Sequence, residues 1–98
     1  MKKRFQNQRF LTAGIDARIP QDIQILLWCM VDIMDDPDYL QIFELQGDSK
    51  GVSICHKQEV PPYENTVFVI CSVDQDFKEK VYIIDDETHA TMLLAEEY

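Results

Sequence analysis

Three observations predict an α+β fold, with one amphipathic helix packed on a mainly antiparallel sheet of about five strands. A nearly continuous apolar run, Ile23 to Met34, is bracketed by Pro20 ahead of it and by Asp36-Pro37 behind it. Four later segments are rich in β-branched and aromatic residues, the composition of a pleated, half-buried surface. Most links between those segments are short, which makes antiparallel neighbours the economical pairing.

The elements follow in chain order. In "RFLTAGIDARIP", Phe10 and Leu11 followed by Gly14 and Ile15 predict a first strand with a glycine break near its end. Pro20 has the fixed φ and missing N–H suited to a first helical turn, and the Asp22 carboxylate favours the positive end of the dipole. The helix is expected from about Pro20 to Asp35, because Pro37 drives Asp36 out of the α region. "DYLQIFELQ" predicts a strand from Tyr39 to Leu45, and "GDSKG" a turn. In "VSICHKQEV" the set Val52, Ile54, His56, Gln58, Val60 alternates with Ser53, Cys55, Lys57, Glu59, a period of two that Pro61 and Pro62 end. "TVFVICSV", Thr66 to Val73, is expected to be a central strand. "KVYIID" is another, and "DDETH" a hairpin loop into "ATMLLAEEY". That terminal segment is expected to be a strand, since Glu96 and Glu97 would lie at the wrong end of a helix dipole.

A helical wheel with Ile23 at zero sorts the apolar run. Met34, Leu27 and Val31 fall at roughly 20, 40 and 80°, and Met30, Leu26, Ile33 and Cys29 at roughly 340, 300, 280 and 240°, one broad face for the sheet. Gln21, Gln24, Asp32, Asp35 and Asp36 occupy the remaining sector, and Trp28 and Ile25 fall inside it at roughly 140 and 200°. Tryptophan is over-represented at binding hot spots. Ile25, Trp28, Asp32 and Asp35 therefore form a candidate partner surface, unless the N-terminal segment or the 61–65 connection folds over the indole.

Bulk properties narrow the function. The chain of 98 residues is expected to form a single domain spanning 1–98, with residues 1–8 as a loosely held basic segment. Residues 1–18 carry five bases against Asp16, a net of +4, whereas 19–98 carry four bases against seventeen acids, a net of −13. A body this acidic repels phosphates, so no nucleic-acid partner is expected; a second copy or a basic protein is. An acidic mimic of nucleic acid is a further alternative. No apolar stretch approaches the roughly 20 residues of a membrane span, and no signal-peptide pattern is present, so a cytoplasmic location away from the membrane is expected. Cys29, Cys55 and Cys71 are odd in number and lack C-x-x-C spacing, which predicts reduced thiols.

Chemistry is sparsely signalled. Asp32, Asp35, Asp36 and Asp38, with Asp85, Asp86 and Glu87 in another turn, lack the glycine and terminal glutamate of a calcium loop, and no metal site is expected. Cys55 and His56 point to opposite faces of one strand and cannot pair as nucleophile and base. With no phosphate loop or dinucleotide fingerprint, neither a cofactor nor an enzyme is expected. The alternative is a small ligand pocket in which His56, Gln58 and Tyr82 orient a bound molecule.

"IP" before the "LLW" helix, then "HKQEVPPY", "IIDD" and "MLLAEEY", together resemble a family of short, uncharacterised proteins of Gram-positive bacteria, a domain of unknown function. Gln58, Glu59, Val60, Pro61 and Tyr63, and the segment Met92 to Tyr98, carry most of the resemblance. It implies a small cytoplasmic protein and assigns no substrate, cofactor or catalytic residue.

Overall fold

The computed structural model describes residues 4–98. Six strands form one mixed sheet: β1 (Gln8–Leu11), β2 (Leu40–Gly47), β3 (Gly51–Gln58), β4 (Tyr63–Ile70), β5 (Lys78–Asp85) and β6 (His89–Leu94). Two helices, α1 (Ala13–Arg18) and α2 (Gln21–Asp32), lie between β1 and β2, and a 3-10 turn, Ala95–Glu97, follows β6. The α+β class is as expected, with one more strand and one more helix than the sequence predicts.

The added helix arises in "RFLTAGIDARIP", which the sequence predicts to be a first strand with a glycine break near its end. Instead β1 stops at Leu11 and Thr12 caps a helix, its hydroxyl accepting from the Ile15 N–H at 3.2 Å. A capping hydroxyl satisfies one of the orphan N–H groups of a first turn, which makes the change from strand to helix abrupt. Gly14 packs against the Glu97 carboxylate, where an added Cβ would lie 2.7 Å from an oxygen. That carboxylate accepts from Thr12 Oγ1 at 2.7 Å and from Leu94 N at 2.8 Å, so the C-terminal turn is locked onto the start of α1.

The strand order is β1-β6-β5-β2-β3-β4. Four of the five pairings are antiparallel; β1 runs parallel to β6, with Phe10 opposite Thr91. "TVFVICSV", expected at the centre, supplies an edge instead. The reason is the crossing of residues 71–77 over the end of β2, where Gly47 N donates to Phe77 O at 2.7 Å. Only a residue without a side chain fits there, since a Cβ on Gly47 would sit 2.8 Å from Asp74 O. β5 thereby pairs with β2 rather than with β4, and among the described residues β4 has a neighbouring strand on one side alone.

Both helices cover one face of the sheet. The core is built from Ile15, Ile19, Ile23, Leu27, Met30 and Val31 of the helical layer against Phe43, Leu45, Val52, Ile54, Val81, Ile83, Ala90, Met92 and Leu94 of the strands. Phe5 also belongs to this cluster, fully buried, although it falls in the N-terminal segment expected to be loose; residues 1–3 lie outside the described residues. The opposite face, including Glu44, Lys57, Phe68, Ile70, Lys80 and Tyr82, carries no α-helix among the described residues.

Candidate functional site

α2 begins after Pro20, whose carbonyl accepts from Ile23 N and Gln24 N at 3.0 Å each, and ends at Asp32, three residues short of the expected Asp35. Ile33 is the C-cap, and its N–H still reaches Cys29 O at 3.2 Å. The wheel therefore holds for Ile23, Leu27, Met30 and Val31, all buried, and Met34 is buried as well. At the edge of the apolar arc it fails. Leu26 is half-buried, Cys29 is exposed, and Ile33 is 71% exposed. The sheet touches a narrower arc of α2 than the sequence offers, so residues beyond that arc stand in water.

Trp28 is half-buried and packs against the core cluster. Its cover is Arg9 of β1, in the N-terminal segment: the guanidinium lies over the indole, 4.6 Å from its centroid. The same group forms an ion pair with Asp32, one turn further along α2, and donates to Phe5 O at 3.1 Å. A guanidinium over an aromatic face is attracted by the ring quadrupole, and its planar fork grips a carboxylate at the same time. Of the four residues expected to form a partner surface, Trp28 and Asp32 are thus engaged inside the molecule. Ile25 stays 57% exposed, and Asp35 is exposed. Ile25, Cys29 and Ile33 succeed one another at intervals of four, forming a ridge along the outer side of α2.

The expected ligand group separates. His56 and Gln58 point to the helix-covered face with Phe43, whereas Tyr82, opposite Ile42, points to the open face and meets the Tyr98 ring edge-on at 5.6 Å. In place of a pocket, His56 and Gln58 join a buried chain of hydrogen bonds through Gln41. Gln41 Nε2 donates to Gln58 Oε1 at 2.6 Å and to Asp38 O at 3.0 Å, which turns its Oε1 toward His56 Nε2 at 2.7 Å. His56 must then carry its proton on Nε2. Gln58 completes the chain, accepting from Asp38 N at 2.6 Å and donating to Pro61 O at 2.9 Å. The result ties the acidic 36–38 segment and the 61–62 turn to the sheet.

His56 is fully enclosed, stacked on Phe43 with ring centres 4.3 Å apart and capped edge-on by Tyr63 at 5.2 Å. Burial pushes its pKa down from 6.5 to about 4, so the imidazole is neutral at ordinary pH. Its Nδ1 has no hydrogen-bond partner among the described residues. Sequence reasoning missed Gln41 in this group, although alternation with Phe43 and Leu45 places it on the inner face.

The acids are dispersed into local roles. Asp85 is buried, with Arg4 at 3.6 Å, and accepts from Phe5 N and Glu87 N. Asp86 Oδ1 accepts from the backbone of Thr88 and His89, and those bonds hold its carboxyl below the usual range. Among the described residues, no group of three or more His, Cys, Asp or Glu side chains is arranged to hold a metal ion. An open groove of about 720 Å³ runs beside β5, lined by residues of both signs including Arg18, Glu44, Lys78, Lys80 and Glu96. Arg18 closes one end by pairing with Glu79 at 2.6 Å and Glu96 at 2.7 Å.

This chain belongs to the family described as staphylococcal protein of unknown function (DUF960), whose model matches residues 8–97. The expected membership in a bacterial family of unknown function is therefore correct. The chain is also similar to a protein of unknown function from Enterococcus faecalis: the crystal structure matches with a TM-score of 0.88, covering 100% of this chain and 98% of that one at 21% identity. At that identity the likeness concerns the fold alone. The comparison with curated proteins gives no match. Among the described residues, no helix is long and apolar enough to cross a membrane.

Proposed function

We propose that this chain is a non-catalytic interaction module of the cytoplasm that docks a basic protein partner on the outer side of α2. The observation that carries the reading is the ridge of Ile25, Cys29 and Ile33, exposed on a helix whose inner side is already fully packed. Asp35 and Asp36 stand exposed beyond its C-terminal end. Carboxylates there add to the negative end of the helix dipole, and no basic residue lies in the last turn of α2 to offset them. An apolar strip with an acidic end suits a segment that pairs aliphatic anchors with lysine or arginine. Trp28 lies inward of the ridge, and Arg9 fixes it there. Three free thiols fit a reducing compartment.

The test compares immobilised wild-type protein with the double variant Ile25→Ser, Ile33→Ser in extracts of the source cells. Both positions face water, so circular dichroism should show an unchanged fold. Proteins held by the wild type, released at roughly 0.5 M salt and absent from the variant are the expected result. Identical proteins on both, or none on either, would overturn the reading.

A further inference from the structure

The sheet has two edges, and they differ. β1 is four residues long, whereas β4 runs eight residues, Tyr63 to Ile70, roughly 27 Å of backbone with one side unpaired among the described residues. Edges of that length are normally blunted by charges, prolines or bulges, because free N–H and C=O groups are a template for another strand. In β4, Glu64 is the single residue charged at neutral pH, within a chain of net charge −9. Its outward side chains at the far end, Phe68 and Ile70, are 50% and 87% exposed, and no α-helix of the described residues lies over that face.

We infer that β4 is a homodimer interface, pairing antiparallel with β4 of a second copy about a two-fold axis to make one continuous twelve-stranded sheet. Symmetry limits the registers. A two-fold axis relating antiparallel edge strands stands perpendicular to the sheet, so each side chain meets one from the same face. Residue numbers of directly opposed partners must then sum to an even number, and one residue faces its own copy on the axis. With Thr66, Val67 or Phe68 on the axis, Glu64 meets Phe68, meets Ile70, or lies outside the paired stretch, and never meets another acid. Val67 meets Asn65, itself or Val69 on the inner face. Two chains that repel each other through most of their surfaces thus match at the one edge almost free of charge. A basic peptide would find only Glu64 to pair with here, so the second copy is the better occupant.

The geometry has a consequence for the docking ridge on α2. An axis perpendicular to the sheet leaves both helical layers on the same side, so the dimer presents two ridges in one direction. The inference itself rests on β4 alone and stands or falls separately from the α2 reading.

Sedimentation equilibrium of the purified chain from roughly 1 to 300 μM tests it, with hydrogen exchange at both ends of that range. The expected result is a monomer–dimer equilibrium with amide protection that rises with concentration in residues 63–70. Phe68→Lys with Ile70→Lys should weaken association about tenfold or more while leaving the circular dichroism spectrum unchanged. A monomer across the whole range would overturn the inference. So would a dimer that ignores both lysines and leaves β4 exchange unaltered.

Discussion

Replacing His56 with Gln removes a titrating ring from the core while keeping an amide donor near the position of Nε2, facing Gln41 Oε1. In the folded chain burial holds the imidazole at about 4, against 6.5 for the ordinary value. The unfolded chain therefore takes up this proton first as the pH falls. Stability gained by keeping the ring neutral is complete above about pH 6.5 and is lost on the descent toward about pH 4. The gap between the two values corresponds to about 3 kcal/mol, with no discount for solvent screening because the ring is fully enclosed. Urea unfolding of both proteins between about pH 7.5 and about pH 4.5 isolates the term, since every other carboxyl and imidazole is common to both. At the upper end the variant should be the weaker protein, having lost the stack on Phe43 and the edge contact with Tyr63. That deficit should narrow by about 2 to 3 kcal/mol, or reverse, at the lower end. Parallel losses in the two proteins, or a His56 ring that titrates near its ordinary value by NMR, would refute the reasoning.

Arg9→Ala should cost about 1 to 2 kcal/mol, because it strips both the cation over Trp28 and the partner of Asp32. Indole emission should shift to the red as water reaches the ring, and unchanged emission would contradict the clamp. Gly51→Ala should be far more disruptive: its Cβ would lie 1.9 Å from Val69 O, so β4 would have to separate from β3. A loss of about 2 kcal/mol or more in urea unfolding is expected, and a variant as stable as the wild type would show that the strands can move apart freely.

Local pattern reached much of this fold. Pro20 and Asp36-Pro37 bounded α2 to within a few residues, and the alternation through Val52, Ile54 and His56 assigned β3 to the correct faces. The failures share a cause, which is that burial depends on what arrives from elsewhere in the chain. "TVFVICSV" reads as a central strand because it is apolar, but its place is set by the crossing at Gly47, a contact that no local pattern carries.

 

The contact at issue is Gly47 N donating to Phe77 O at 2.7 Å, which joins residues far apart in the sequence. The surroundings of Trp28 depend on distant chain in the same way. The wheel put it in the polar sector correctly, and only the pairing of β1 with β6 shows that Arg9 comes to rest on it. Gln41 was open to a reading by alternation, whereas its partner Asp38 O was not, because that bond depends on how the chain turns after Pro37.

The charge asymmetry of the sequence acquires a different meaning once the partners are known. A basic head of +4 before a body of −13 invites the idea of an arm that reaches for something else. In the fold, the three arginines of that head each meet an acid of the body: Arg4 meets Asp85, Arg9 meets Asp32, and Arg18 meets Glu79 and Glu96. Each pair joins the N-terminal stretch to an element remote in sequence, and Arg9 and Arg18 sit at either end of the layer formed by β1 and α1. The exposed pairs, Arg9–Asp32 and Arg18–Glu96, contribute little singly, about 0 to 1 kcal/mol. Their joint effect is on position: they hold Phe5 in the core, cover Trp28 and fix the last turn of the chain. With those arginines committed inside the molecule, no described base of the head forms an ion pair with Asp35 or Asp36, so the ridge of Ile25, Cys29 and Ile33 ends in an acidic border.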